Sequence, residues 1–114
     1  MPAPLYTPLV AKVREAASLK ITAQDLVGIL GMVPTPATPD ADQWSCEHSV
    51  DLDQTEAMVR MVLDGGVRIL LTGGSLGEGA TLLDHEMREF TACIASGLKG
   101  NGLLFAGATT MNTR

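Results

Sequence analysis

From residue 28 onward, short apolar runs alternate with stretches whose apolar residues recur at helical spacing. The first run, Gly28 through Met32 and Val33, is bounded by Gly28 and Pro34 and predicts a short buried strand. Pro34, Pro36 and Pro39 follow, and no regular element continues through them. Thr55, Met58, Val59, Val62 and Leu63 then repeat at i, i+3, i+4, i+7 and i+8, the apolar stripe of an amphipathic helix. Asp51 is expected to cap that helix with Gln54 as its reciprocal partner, and Gly65 and Gly66 to end it. Val67 to Thr72 (VRILLT) is nearly continuous, which predicts a strand covered on both faces. Asp84 opens a second helix with Met87, Phe90, Thr91, Ile94 and Leu98 on one face. Leu103 to Ala106 (LLFA) predicts a third strand. Strand, helix, strand, helix, strand is the pattern of right-handed βαβ units in a parallel sheet.

The chain divides into a leader, residues 1–20, and a βαβαβ portion, residues 21–114. In the leader, Leu9, Val10, Val13, Ala17 and Leu19 fall loosely on one helical face, which predicts a short surface helix. Thr22 and Asp25 fit a capping box for one helical turn closed by Gly28. Ala37 to Ser49 reads as a long polar loop, and loops of that length in compact domains tend to be functional. About three strands and two crossover helices do not cover both faces of a parallel sheet. The fold expected is therefore an α/β fold that is truncated.

Composition narrows the function classes. At 114 residues there is room for one domain, and 46% hydrophobic with 18% charged residues describes a globular chain. A formal net charge of -5 argues against nucleic-acid and anionic-membrane partners. An aromatic content of 4% leaves few platforms for stacking single-stranded bases. The two cysteines, Cys46 and Cys93, are too few for a disulfide scaffold and are expected as reduced thiols in a cytoplasmic protein. Lys12, Arg14 and Glu15 interrupt the leader, so it is not expected to be a secretory signal. No apolar run reaches the length of a membrane span.

In parallel α/β folds, chemistry sits at the C-terminal ends of the strands. Three such places are Pro34-Thr35-Pro36, Gly73–Glu78 and Gly107–Asn112. The richest is the turn GGSLGEGA, Gly73 to Ala80. A dinucleotide fingerprint fails there, because Thr72 stands where the first glycine belongs. A Walker loop fails because no Lys-Ser/Thr pair follows. Gly73-Gly74-Ser75-Leu76-Gly77 does match the G-x-S-x-G nucleophile elbow of serine hydrolases, with Ser75 as nucleophile. Against it, Gly77 and Gly79 delay the helix that should begin at the serine. The same turn also suits an anion cradle, in which successive N–H groups and the Ser75 hydroxyl receive the carboxylate of a small keto acid. A tight turn without a ligand is the plain alternative.

Gly74-Ser75-Leu76-Gly77-Glu78-x-Ala80-Thr81-Leu82 resembles the Gly-Thr-Thr-Gly-Glu-x-Ala-Thr-Leu segment of the dihydrodipicolinate synthase and N-acetylneuraminate lyase superfamily. Thr35-Pro36 resembles its Thr-Pro after strand one, and Gly107 to Thr113 its Gly-x-x-x-x-Asn-Thr after strand three. The longer first loop, with Pro34 to Ala41, Trp44 and Val50 to Asp53, is similar to the branch of hydratase-aldolases in aromatic hydrocarbon catabolism. These are the trans-o-hydroxybenzylidenepyruvate and 2'-carboxybenzalpyruvate enzymes. The resemblance implies the N-terminal part of a (β/α)8 barrel. It implies a lyase that joins a lysine to pyruvate as a Schiff base and cleaves an aryl-substituted 2-oxobut-3-enoate into an aromatic aldehyde and pyruvate. The family's lysine lies on strand six and a helper tyrosine on strand five, and neither strand is expected here. Lys12, Lys20 and Lys99 are not placed to serve. Catalytic Ser75 matches the family's first threonine, a pocket hydroxyl able to pass on a proton. Leu76 matches the second, whose backbone N–H holds the carboxylate. Gly74 and Thr35 complete the substrate-binding set. Leucine at 76 departs from the synthase pattern and fits a pocket that accepts an aryl group. A dihydrodipicolinate synthase or another family lyase is the alternative within the class. The implied partner is a pyruvate-derived 2-oxo acid, with a homo-oligomeric parent and no cofactor.

Other polar residues carry plainer readings. Cys46 and His48 are too sparse for a metal site, so no metal is expected. His85 is expected to be exposed, and Cys93 to be a small buried thiol. Met58, Met61 and Met87 read as core filler. With Leu83 in place of a capping Ser or Thr, Asp84 is expected to take the cap. Trp44 either packs its loop down or lines an aryl pocket.

Overall fold

A computed structural model describes residues 21–108. The leader at 1–20 and the last part of the third strand-end segment, 109–114, lie outside the described residues. A single 3-10 turn, Ala23–Asp25, comes first. The Asp25 carboxylate accepts from the Thr22 N–H at 2.7 Å, one half of the predicted capping box, while the Thr22 hydroxyl donates to it at 2.9 Å instead of accepting from the Asp25 N–H. The regular elements are β1 (Leu30–Met32), α1 (Leu52–Asp64), β2 (Ile69–Thr72), α2 (Asp84–Leu98) and β3 (Leu103–Ala106). The strands form a parallel sheet in the order β1-β2-β3.

Register decides which residues meet the helices. Gly31, Leu70 and Leu104 stand side by side across the sheet. Leu70 and Leu104 join the core built by Val59 of α1 and Phe90, Ile94 and Leu98 of α2. Glycine at 31 fits this layer, since a Cβ there would lie 3.0 Å from the Val67 Cγ1. Thr55 and Val59 of the predicted α1 stripe are buried, and Met58, Val62 and Leu63 are partly so. The helices pack closely on each other: a Cβ on Gly97 would reach Val59 Cγ1 at 3.0 Å.

Helix ends show how local sequence sets the boundaries. The Asp51 carboxylate accepts from the Gln54 N–H at 2.9 Å, the forward half of the expected cap. Gly66, at φ +91, turns the chain out of α1. At α2 the expectation for Asp84 is corrected. Asp84 is the first helical residue and Leu83 the cap position, which has no side-chain acceptor. Glu86, at the third helical position, makes only the reciprocal half of a capping box, accepting from the Leu83 N–H at 2.8 Å.

Three side-chain expectations also change. Met61 is 68% exposed rather than core filler, because it lies beside the α1 stripe and not in it. Cys93 is half-buried, its Sγ 3.5 Å from the Leu52 carbonyl. Burial, then Glu56 and Asp53, push its thiol pKa up. Trp44 is 98% exposed, so it does not pack its loop down.

Side chains alternate along a strand, so the face away from the helices carries Leu30, Met32, Leu71 and Phe105. Ile69, at the centre and flanked in register by Leu30 and Leu103, is buried there. Leu30, Met32 and Phe105 are exposed, and among the described residues no element covers this face. β1 and β3 also leave open edges there, which template intermolecular pairing. We therefore predict that the 114-residue polypeptide expressed alone aggregates or stays loosely packed. Light scattering and a thermal melt check this; a monomer with one sharp cooperative transition would overturn it.

Candidate functional site

The C-terminal ends of the strands converge on the glycine-rich segment. The ladder continues past β1, where the Val33 N–H donates to the Leu71 carbonyl at 3.1 Å. Two residues on, the Thr35 hydroxyl donates to the Gly77 carbonyl at 2.7 Å. From β3, the Gly107 N–H donates to the Thr72 carbonyl at 2.9 Å. Gly73, Gly79 and Gly107 press backbone against backbone. A Cβ on Gly79 would lie 2.6 Å from the Gly73 carbonyl oxygen, and one on Gly107 would lie 2.9 Å from it. Only hydrogen fits at either position.

Inside this frame the turn closes on itself. The Glu78 N–H donates to Ser75 O at 3.1 Å, and the Gly79 N–H to Gly74 O at 3.3 Å. Glu78 takes the left-handed conformation at φ 53, and a 3-10 turn, Gly79–Thr81, follows. Among the described residues, the N–H groups of Gly74, Ser75, Leu76 and Gly77 donate to no protein acceptor. Ser75 and Leu76 are exposed, Gly74 partly buried. Thr35 and Gly77 are therefore brought together, while Ser75 and Leu76 remain open to a ligand.

The elbow geometry is absent. A nucleophile elbow needs its serine in a strained turn leading straight into a helix. Ser75 is not among the described residues with positive φ, and α2 begins only at Asp84. Lys99 caps the C-terminus of α2 just before β3, which is the end of the sheet opposite the glycine-rich turn. Among the described residues, no group of three or more His, Cys, Asp or Glu is placed to hold a metal ion. No helix there is long and apolar enough to cross a membrane.

The loop after β1 is more ordered than a polar stretch suggests. Its base is closed by an antiparallel bridge between Ala37 and Val50. The Thr38 N–H donates to Ser49 O at 2.8 Å and the Asp51 N–H to Pro36 O at 2.9 Å. Its far end docks on α2. The His85 Nε2 lies 2.7 Å from the Glu47 carbonyl, which can only accept, so that nitrogen carries the proton. Glu86, 3% exposed, accepts from the Ser49 N–H at 2.7 Å and from the Ser49 hydroxyl at 2.5 Å. Burial alone would raise the Glu86 pKa. The bonds from Ser49 and Leu83, with a smaller electrostatic contribution from His85, outweigh it and hold the carboxyl below its ordinary value. Trp44 stands clear of these contacts, with no described residue forming an aryl pocket around it.

Sequence reasoning missed Glu86. Its one visible signal was its place three residues after Leu83, where an acidic residue can cap a helix. One buried side-chain polar atom has no partner among the described residues: the hydroxyl oxygen of Thr72, next to Gly73.

A parallel βαβαβ sheet is the arrangement in which a (β/α)8 barrel begins. No known family profile matches the chain. Individual relatives do. The trans-o-hydroxybenzylidenepyruvate hydratase-aldolase of Pseudomonas putida is 38% identical over 95 residues, 83% of this chain and 29% of that protein. The trans-2'-carboxybenzalpyruvate hydratase-aldolase of Nocardioides sp. (strain KP7) is 38% identical over 82% of this chain and 28% of its own. The 4-hydroxy-tetrahydrodipicolinate synthase of Chlorobium phaeovibrioides is 31% identical over 80% of this chain and 28% of its own. The solved structure of PhdJ bound to a substrate intermediate superposes with a TM-score of 0.78 at 41% identity, covering 82% of this chain and 29% of that one. The aligned stretch belongs to the dihydrodipicolinate synthase superfamily, and the higher identities fall in its hydratase-aldolase branch. The chain spans under a third of the length of these relatives, 29% and 28% of the two hydratase-aldolases.

Proposed function

We propose that this chain is part of a pyruvate-dependent class I aldolase, a hydratase-aldolase that releases an aromatic aldehyde and pyruvate from an aryl-substituted 2-oxobut-3-enoate. The observation that carries it is the run of N–H groups from Gly74 to Gly77, which donate to no acceptor among the described residues, beside the exposed Ser75 at the C-terminal end of a parallel sheet. Such a nest attracts a carboxylate. The Leu76 N–H holds the pyruvyl carboxylate, the Ser75 hydroxyl donates to it or relays a proton, and Gly74 allows close approach. The Thr35 proton is committed to Gly77, so Thr35 serves by fixing the turn.

The chemistry needs an electron sink. Water adds across the carbon–carbon double bond, and the C–C bond of the resulting aldol then breaks. The bonding electrons pass into a protonated imine between a lysine and the keto carbon. Lys99 faces the wrong end of the sheet, so the lysine is proposed to lie in the rest of a barrel of roughly 250 residues or more. A homo-oligomeric, cytoplasmic parent is part of the same proposal, and the two free cysteines suit that compartment.

Borohydride reduction in the presence of pyruvate tests the reading. The full-length parent is expected to gain the mass of reduced pyruvate on one lysine, and the 114-residue chain none. In the parent, Ser75→Ala should cost about 1–3 kcal/mol of binding or turnover, a lost hydrogen bond to a charged group, without abolishing the imine. Leu76→Thr keeps the N–H and should spare pyruvate while penalising the aromatic half of the substrate. A parent that forms no adduct but is acylated at Ser75 by a fluorophosphonate is a serine hydrolase, and the aldolase reading then fails.

A further inference from the structure

We propose that Glu86 is a positioning residue that ties the loop after β1 to the start of α2, just beyond the glycine-rich turn, and so sets the aldehyde side of the site; this rests on the aldolase reading. The carboxylate uses its oxygens on different partners. Oε2 takes the Leu83 N–H at the cap of α2, three residues beyond the glycine-rich turn. Oε1 takes both donors of Ser49, at the close of the loop after β1.

A helix cap explains only the first of these. That bond is the reciprocal half of a capping box, which an N3 Glu or Gln makes with the N-cap N–H. The second oxygen, aimed at a residue 37 positions away, has no capping purpose. Its neighbours bind the same loop to the same helix turn. His85 donates to the Glu47 carbonyl, and the His48 ring meets the His85 ring edge-on at 5.1 Å. The His48 Nδ1 lies 4.0 Å from Glu89 Oε2. The loop is thus anchored at both ends: Thr35 holds its root to Gly77, and Glu86 holds its close to Leu83. The uncommitted N–H groups of Gly74 to Gly77 lie at one end of that anchored segment. With the carboxylate seated there, the remainder of a longer substrate runs alongside this loop.

The test uses the full-length enzyme in the condensation direction, with pyruvate and 2-hydroxybenzaldehyde. Glu86→Gln replaces one acceptor oxygen by a donor and is expected to raise the aldehyde KM about tenfold. The pyruvate KM and the yield of borohydride adduct should stay within about twofold. Ser49→Ala keeps the backbone bond and should give a smaller rise of the same pattern at unchanged melting temperature. If Glu86→Gln fails to fold, Ser49→Ala decides alone. A lower melting temperature with both KM values flat would leave Glu86 a helix cap and overturn the proposal. An equal rise in both KM values would overturn it as well. A wild-type enzyme that forms no pyruvate adduct defeats the aldolase reading and this proposal together; adduct formation with an unmoved aldehyde KM in both variants defeats this proposal alone.

Discussion

Gly79→Ala in the full-length protein is expected to lower kcat/KM on the order of 100-fold, the size of loss that follows when a reacting group is displaced by about 1 Å. The added methyl would lie 2.6 Å from the Gly73 carbonyl oxygen and 3.1 Å from its Cα. Both atoms are backbone, so no side chain can swing away. Gly73 has little room to move, because Gly107 packs against it as well and its own φ of +73 already requires glycine. The turn must therefore shift, and the N–H groups of Ser75 and Leu76 shift with it. Gly65→Ala is the control. It sits in ordinary helical conformation at φ -72, and its Cβ would meet nothing closer than 3.4 Å. Steady-state kinetics and adduct mass should separate the two variants. Equal activity in both would mean that the turn does not hold the substrate.

Phe90→Ala should destabilise the full-length fold by about 3–5 kcal/mol, the usual range for removing a buried aromatic ring. Phe90 is fully buried on α2, among Val59, Leu70, Ile94 and Leu98. It belongs to both contacts that matter, helix on sheet and helix on helix. Against a typical total of about 5–15 kcal/mol, the loss is large. Urea unfolding gives the number directly. A cost under about 1 kcal/mol would mean that α2 does not pack on the sheet as described.

Most of the framework was legible in the chain because one physical rule wrote it. Apolar residues at period 3.6 or in short unbroken runs had one way to be buried, and β3 appears at the predicted Leu103–Ala106. Asp51 was legible for a second reason, since its bond partner is three residues away. What escaped depends on distant partners. Glu86 looks like a solvent-facing charge until Ser49 arrives from another loop. The mutual contact of Gly73, Gly79 and Gly107 joins two strand ends, and no local pattern announces it. Asp84 was misread because acidic residues suit both the cap and the first turn, and only backbone geometry separates the two. Of the two readings open for Trp44, its exposure removes packing onto the loop, because the tip of a loop offers nothing to bury against.

The bridge between Ala37 and Val50 makes the intervening loop an exchangeable cassette. Its ends are already held together by Thr38–Ser49 and Pro36–Asp51 bonds, so residues added at its tip leave the root unmoved. Each doubling of such a loop costs only about 0.6 kcal/mol of closure entropy. Length can therefore drift around Trp44 across descendants of this scaffold while the glycine turn stays fixed. A lineage built this way changes what stands beside the strand ends by editing one bridge-rooted insert, without reworking the glycine-rich turn.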